Sequence, residues 1–231
     1  MNKNKKLVIV GAGEFAMIAF EYFTHDSDYE VVAFCVENKY IDAGDPEKKA
    51  NIVYNKPLIS FEYLEKEFPP NYYDTFVAIP ASKLNKVRTR LYKELKNKGY
   101  TCATYISSHS FVWKNAKIGE NCFIFENNTI QPFVEIGNNV ILWSGNHIGH
   151  RSIIQDNCFI SSHVVISGYC RINCSCFLGV NSTFNDHTSI AKDCILASGS
   201  LVTKNLTEPE KIYYGNPAKA LPKKSSLSVE F

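Results

Sequence analysis

The sequence predicts two modules: an α/β unit over residues 1–105, and a parallel β-helix with a C-terminal tail over residues 106–231. Three observations predict this. At every sixth position from 106 to 202 stands Ile, Leu, Val or Phe, seventeen in succession without an insertion. A helix repeats at about 3.6 residues and a strand at about two, so neither demands a period of six; short strands joined by regular corners do. Before residue 106 the pattern changes to a strand, a glycine turn and a helix. The composition, 45% hydrophobic and 21% charged over 231 residues, is that of an ordinary globular chain with room for one large or two modest domains.

In chain order, Lys6–Val10 reads as a short apolar strand that runs into Gly11, Gly13 and Ala16, a G-x-G-x-x-A turn, and a helix to about Phe23. Val31–Val36 is a second strand with Glu37 at its end. This opens a Rossmann-like βαβ unit, whose glycines and helix N-terminus suit a phosphate; a tight strand-to-helix turn without a ligand fits the same residues. Ser60–Phe68 is expected as a second helix and Thr75–Ile79 as a third strand, ending at Pro80. Lys83–Lys98 is expected as a third helix stopped by Gly99, and a fourth strand falls near Thr101–Tyr105. The unit is about half a dinucleotide fold, which leaves little room for a nicotinamide and disfavours an NAD oxidoreductase.

From Ile106 onward the hexad has distinct rows. Two before the apolar stops come slim residues such as Cys122, Val140, Ser152 and Cys176, which suit a narrow interior. Three after them come Asn127, Asn139, Gly145, Asn157, Asn181, Asp193 and Gly199, types that tolerate left-handed backbone, so this row is the corner. Three hexads make a coil of eighteen residues and a prism of three walls. On one wall the outward residues are Phe123, Ile141, Phe159, Phe177 and Ile195. That apolar stripe predicts a partner surface and, with three walls, a homotrimer.

Net charge is +2, which offers no broad field to nucleic acid or a membrane. The apolar run behind the basic start, Leu7–Val10, is too short for a signal core, and no segment reaches spanning length. Five of the eight cysteines sit in the slim inner row, and no CxxC pair occurs, so they read as buried small hydrophobes in a reducing cytoplasm.

Of six histidines, His147 and His150 are the closest pair. His150 lies two after a stop, on a corner, and its column reads Pro132, His150, Gly168, Asp186. Gly168 is expected to leave space beside the imidazole for a thioester. Another column, Ser144, Ser162, Val180 and Ser198, is also small. A corner or interface histidine and a general base both fit His150. His163 and His187 sit in the corner row, where His replaces Asn cheaply. A three-histidine metal site is disfavoured, since His147, His163 and His187 do not share an eighteen-residue column. A surface-binding β-helix is disfavoured too, because the outer rows are irregular.

A hexad array that ends in Tyr214-Gly215-Asn216-Pro217-Ala218-Lys219 resembles the left-handed β-helix (hexapeptide-repeat) acyltransferases. With the N-terminal unit, residues 5–220 resemble bacterial sugar acetyltransferases of the NeuD/PglD type, in particular N-acetyltransferases of nucleotide-linked amino-deoxysugars for O-antigen and other surface glycans. The resemblance implies the left hand, acetyl-CoA as co-substrate, a nucleotide-linked amino sugar as acceptor and no metal. It implies nucleotide-sugar contacts at Gly13, Glu14, Phe15, Val36 and Glu37. It places the catalytic base at His150 and acetyl-CoA contacts at Phe159, Gly168, Val180, Ser198 and Lys219. The expected chemistry is direct attack of the amine on the thioester, with His150 taking the proton and a backbone N–H, that of Gly168, meeting the oxyanion. The alternative is a sugar O-acetyltransferase of the sialic-acid type. The family often places a carboxylate after the base, and Arg151 stands there instead.

Overall fold

A computed structural model describes residues 3–41 and 52–230. The chain divides into two compact units: Met1–Pro80 with Arg90–Ala103, and Ala81–Thr89 with Thr104–Phe231. The division differs from the expected boundary at 105, chiefly in giving residues 81–89 to the second unit.

The first unit is a layered α/β structure. It contains β1 (Lys5–Val10), α1 (Glu14–His25), β2 (Tyr29–Val36), α2 (Asn38–Ile41), β3 (Ile52–Val53), β4 (Lys56–Ser60), α3 (Leu64–Glu67), β5 (Asp74–Val77) and most of α4 (Lys86–Asn97). The sheet order is β3-β4-β2-β1-β5; all neighbours are parallel except β3 and β4. Leu7–Ile9 of β1 are fully buried, as a central parallel strand covered on both faces requires. Helix α1 buries Phe15, Ala16, Ala19 and Phe23, one stripe at helical spacing.

Two expectations fail here. The helix predicted over Ser60–Phe68 is the end of β4, a 3-10 turn at Phe61–Tyr63 and the single turn α3. Ser60 Oγ accepts the Glu62 N–H and starts that turn. The strand predicted near Thr101–Tyr105 reduces to one bridge, Cys102 to Thr75, and to Tyr105, which opens the two-residue strand Tyr105–Ile106. The unforeseen hairpin β3-β4 turns at Tyr54 and Asn55, both with positive φ (48° and 56°), the backbone of a two-residue hairpin turn without its usual glycine.

The second unit is a parallel β-helix of three walls. Among the described residues these are sheets of six, five and eight strands. Each residue pairs with the one eighteen further on, as in Thr129↔His147↔Val165↔Thr183. The stops from Ile124 to Val202 are almost wholly buried, while Ile106, at the first coil, is 38% exposed. Each buried Ile or Leu contributes about 1.5–3 kcal/mol, so one continuous core holds the coils together. Every corner position from Asn121 to Gly199 has positive φ, between 52° and 64° at the residues other than glycine.

The outward stripe expected to face a partner is covered within the chain. Phe123 and Ile141 are fully buried, Phe159 and Ile195 are 7% exposed, and Phe177 is half-buried. Residues 81–89 hydrogen-bond at that wall and the corner beside it. Asn85 Nδ2 donates to the Cys176 carbonyl at 3.3 Å, and Arg88 donates to Asn139 Oδ1 at 3.1 Å and to the carbonyls of Asn157 and Cys158. The wall therefore supplies no argument for a trimer. Past Val202 the hexads end, but the wall that holds Ile195 and Leu196 continues. Lys211–Tyr214 extends the same sheet and Lys219–Ser225 returns antiparallel to it. The segment expected as a polar tail is thus ordered, with Ser226 buried and its Oγ donating to the Asp193 carbonyl.

Candidate functional site

The three corners of the prism are not alike. One carries Asn121, Asn139, Asn157, Ser175 and Asp193 in left-handed conformation, and a second Asn127, Gly145, His163, Asn181 and Gly199. The third carries Phe133, Arg151, Tyr169 and His187. A left-handed backbone costs an ordinary side chain roughly 1–2 kcal/mol, and bulky residues held there point to a functional constraint.

His150 stands on this third corner with an exposed side chain. A Cβ at Gly168 would lie 2.6 Å from the imidazole Cε1 and 3.0 Å from Nε2. The glycine thus makes room for the imidazole itself. Tyr169 meets the ring edge-on, with centroids 5.2 Å apart at 83°, and Tyr169 stacks on His187 at 4.7 Å. The Arg151 guanidinium lies over Phe133, 4.4 Å from its centroid. Gln131 Oε1 accepts the His150 backbone N–H at 2.8 Å and stands 3.4 Å from Nδ1. Sequence reasoning missed Gln131; the only signal was its place one coil earlier. The expected oxyanion donor is already engaged, since the Gly168 N–H donates to Asp186 Oδ1 at 2.7 Å.

Val180, Ser198 and Lys219 gather on a different corner. The Gly199 N–H donates to the Val180 carbonyl at 2.8 Å, and Lys219 pairs with Tyr214 in the strand laid beside Leu196. All three are exposed. One wall, containing His147–Ile148, Val165–Ile166 and Thr183–Phe184, separates this corner from His150. Phe159 belongs to neither corner. It is stacked on Phe177 at 5.3 Å in the covered wall, which removes its exposed face.

In the first unit the residues singled out lie at the C-terminal ends of β1 and β2. A Cβ on Gly11 (φ 129°) would sit 2.8 Å from the Ala78 carbonyl oxygen, so only glycine allows this approach beyond β5. Gly13 caps α1 and has open space above it, and Glu14 is exposed in the first turn. The Phe15 side chain is buried against Phe76, so it turns into the core. Val36 is half-buried. The Glu37 carboxylate pairs with Arg90 at 2.9 Å and Lys39 at 3.2 Å. Burial pulls its pKa up, but the hydrogen bonds from Arg90 and Lys39 outweigh that and hold it below the usual carboxylate range. β1 lies between β2 and β5, the switch point at which such sheets bind ligands.

Two clefts lie away from these residues. One of about 580 Å³, at the opposite end of the first sheet, is lined by Lys5, Lys6, Pro70 and Tyr72. One of about 490 Å³ follows the prism wall of Glu135 and Ile153. Among the described residues no group of three His, Cys, Asp or Glu is placed to hold a metal, and no helix is long and apolar enough to cross a membrane.

A family model described as the GMPPB C-terminal domain matches residues 101–212. Among solved structures, the acetyltransferase domain of PglB from Neisseria gonorrhoeae is similar at 20% identity and a TM-score of 0.80, covering 94% of this chain and 100% of that one. PerB from Caulobacter crescentus, solved in complex with CoA and GDP-perosamine, is similar at 21% identity and a TM-score of 0.79, covering 94% and 98%. WeeI from Acinetobacter baumannii is similar at 19% identity and a TM-score of 0.66, covering 94% and 100%. At these identities the likeness is one of fold: an α/β unit followed by a hexapeptide β-helix along nearly the whole chain.

Proposed function

We propose that this protein is an N-acetyltransferase that moves an acetyl group from acetyl-CoA to the amine of a nucleotide-linked amino-deoxysugar. The observation that carries this is the corner of His150. An exposed imidazole seated over a glycine and rimmed by bulky left-handed residues is a costly arrangement that a plain structural coil has no use for. The fold likeness supports the substrate class, since PerB is a protein seen with CoA and GDP-perosamine. The left hand of the prism belongs to the same reading, and the unbroken row of left-handed corners agrees with it.

In this mechanism the sugar amine attacks the thioester carbonyl carbon. His150 accepts the proton lost by the amine, the C–S bond breaks, and His150 returns the proton to the thiolate of CoA. Oxyanion stabilisation falls to a donor other than the Gly168 N–H. The first unit, Rossmann-like in this reading, holds the nucleotide at the Gly11–Gly13 turn and the α1 N-terminus. Val180, Ser198 and Lys219 form a second contact region for CoA. Because a whole wall separates them from His150, CoA either crosses that wall or lies between two copies of the chain, which makes a homotrimer built on the exposed walls part of the proposal. A cytoplasmic setting suits both substrates and the free cysteines.

The test is CoA release from acetyl-CoA with GDP-, UDP- and dTDP-linked amino sugars, each beside its hydroxyl counterpart. Turnover with at least one amino sugar and none with the hydroxyl forms is expected. Turnover only with hydroxyl sugars would turn the assignment to O-acetylation, and none with any sugar would end it.

A further inference from the structure

We propose that Gln131, one coil before His150, is the positioning residue of the imidazole, in a chain whose residue after the histidine is Arg151. The proposal rests on the reading of His150 as the base. Gln131 directly follows the stop Ile130 and is half-buried. Its Oε1 accepts the His150 backbone N–H at 2.8 Å, which settles the amide orientation, because the NH₂ end has no lone pair to offer that donor. The same oxygen stands 3.4 Å from Nδ1. An amide oxygen only accepts, so a hydrogen in that contact resides on Nδ1, and the lone pair of the neutral ring is on Nε2. The long contact is of the kind that tightens when substrate closes a site.

The rest of the corner limits the ring from the next coil. Gly168 lies against it, and Tyr169, backed by His187, stands at its edge. The charged and titratable groups around the corner are Arg151, turned onto Phe133, Asp186, bound to the Gly168 N–H, and Tyr169 and His187. An amide at 131 selects the tautomer without adding a negative charge to this set. It would do by geometry alone the orienting work that a carboxylate behind the ring would do.

Nitrogen-resolved NMR of the full chain labelled at histidine reads the His150 tautomer with no substrate present, assigned by comparison with His150→Gln. Hydrogen on Nδ1 is expected; hydrogen on Nε2 overturns the proposal. Gln131→Glu keeps the acceptor for the backbone N–H but adds charge, and should move the acid limb of the kcat/KM profile upward by about one pH unit with KM for acetyl-CoA unchanged. Gln131→Met should lower kcat about ten- to a hundred-fold. If the limb stays in place in Gln131→Glu, Gln131 is only a backbone clip and the proposal falls. Failure of the functional reading looks different: the unaltered protein would release no CoA with any amino sugar, and the tautomer measurement would still decide the role of Gln131.

Discussion

His150 is bounded by the uncharged groups of Gln131, Gly168 and Tyr169, and that makes its neighbourhood sensitive to single atoms. Replacing Gly168 with Ala puts a methyl 2.6 Å from Cε1, closer than real contacts allow, so the exposed ring must swing away. Gly168→Ala should therefore cost at least about tenfold in kcat, while unfolding by denaturant shifts by under about 1 kcal/mol. Removing the imidazole in His150→Ala should lower turnover by about 10²–10⁴-fold with an unchanged melting curve. Near-normal turnover in His150→Ala would remove the base from the mechanism. Much of this corner was legible in the sequence, because eighteen-residue columns put Gly168 next to His150 without any structure. What the columns could not tell is what fills the gap. The imidazole occupies it, Asp186 takes the Gly168 N–H, and Gln131 reaches up from the coil before, all through side-chain torsions that periodicity does not encode.

At the level of elements, the hexads were readable and the short pieces between them were not. A period of six repeats often enough to outvote any single residue. The strand β4 is five residues long, contains Pro57 and follows a turn without glycine, so nothing local announces it; pairing with β2 decides its conformation. Helix α4 is the reverse case, with an obvious pattern and an unforeseen task. Its residue Arg88 is fully buried and donates to Asn139 Oδ1 and to the carbonyls of Asn139, Asn157 and Cys158. Asn139 in turn links Asn121 and Asn157 through side-chain bonds of 2.8 Å, so one guanidinium ties three coils at a corner. Burial pushes the Arg88 pKa down to about 9, and the ring of acceptors is what favours its charged form near neutral pH. Arg88→Met strands those buried acceptors and should destabilise the protein by about 3 kcal/mol or more in denaturant unfolding. Arg90, two residues on, pairs with Glu37 and Glu94 at the surface, and Arg90→Met should cost under about 1 kcal/mol. Equal losses from the two changes would show that the corner network contributes nothing special.

For the whole molecule, the question is which wall of the prism is free to meet another copy. The sequence pattern nominated the stripe through Phe123, Phe159 and Phe177 because it is the most apolar, and a stripe alone cannot reveal that the same chain covers it. The covering residues 81–89 belong to a region that reads as an ordinary helix start, so no local pattern announces the tertiary contact. The wall of Thr129, His147, Val165 and Thr183 is open by contrast, and Val165 is 39% exposed. It also joins the corner of His150 to the corner of Val180 and Ser198, so a second copy seated there would bridge the two halves of the proposed CoA path. Two substitutions separate the alternatives. Phe159→Ala empties a covered, stacked site and should cost about 3–5 kcal/mol of stability without changing the particle mass measured by light scattering at temperatures where the fold persists. Val165→Arg puts a charge on the open wall, where it leaves the monomer fold intact but opposes a closely packed partner. It should lower the particle mass toward one chain and reduce CoA release with it. If instead Phe159→Ala dissociates a folded assembly and Val165→Arg leaves it whole, the aromatic wall meets the partner after all, and the path for CoA between the two corners must run along a single chain.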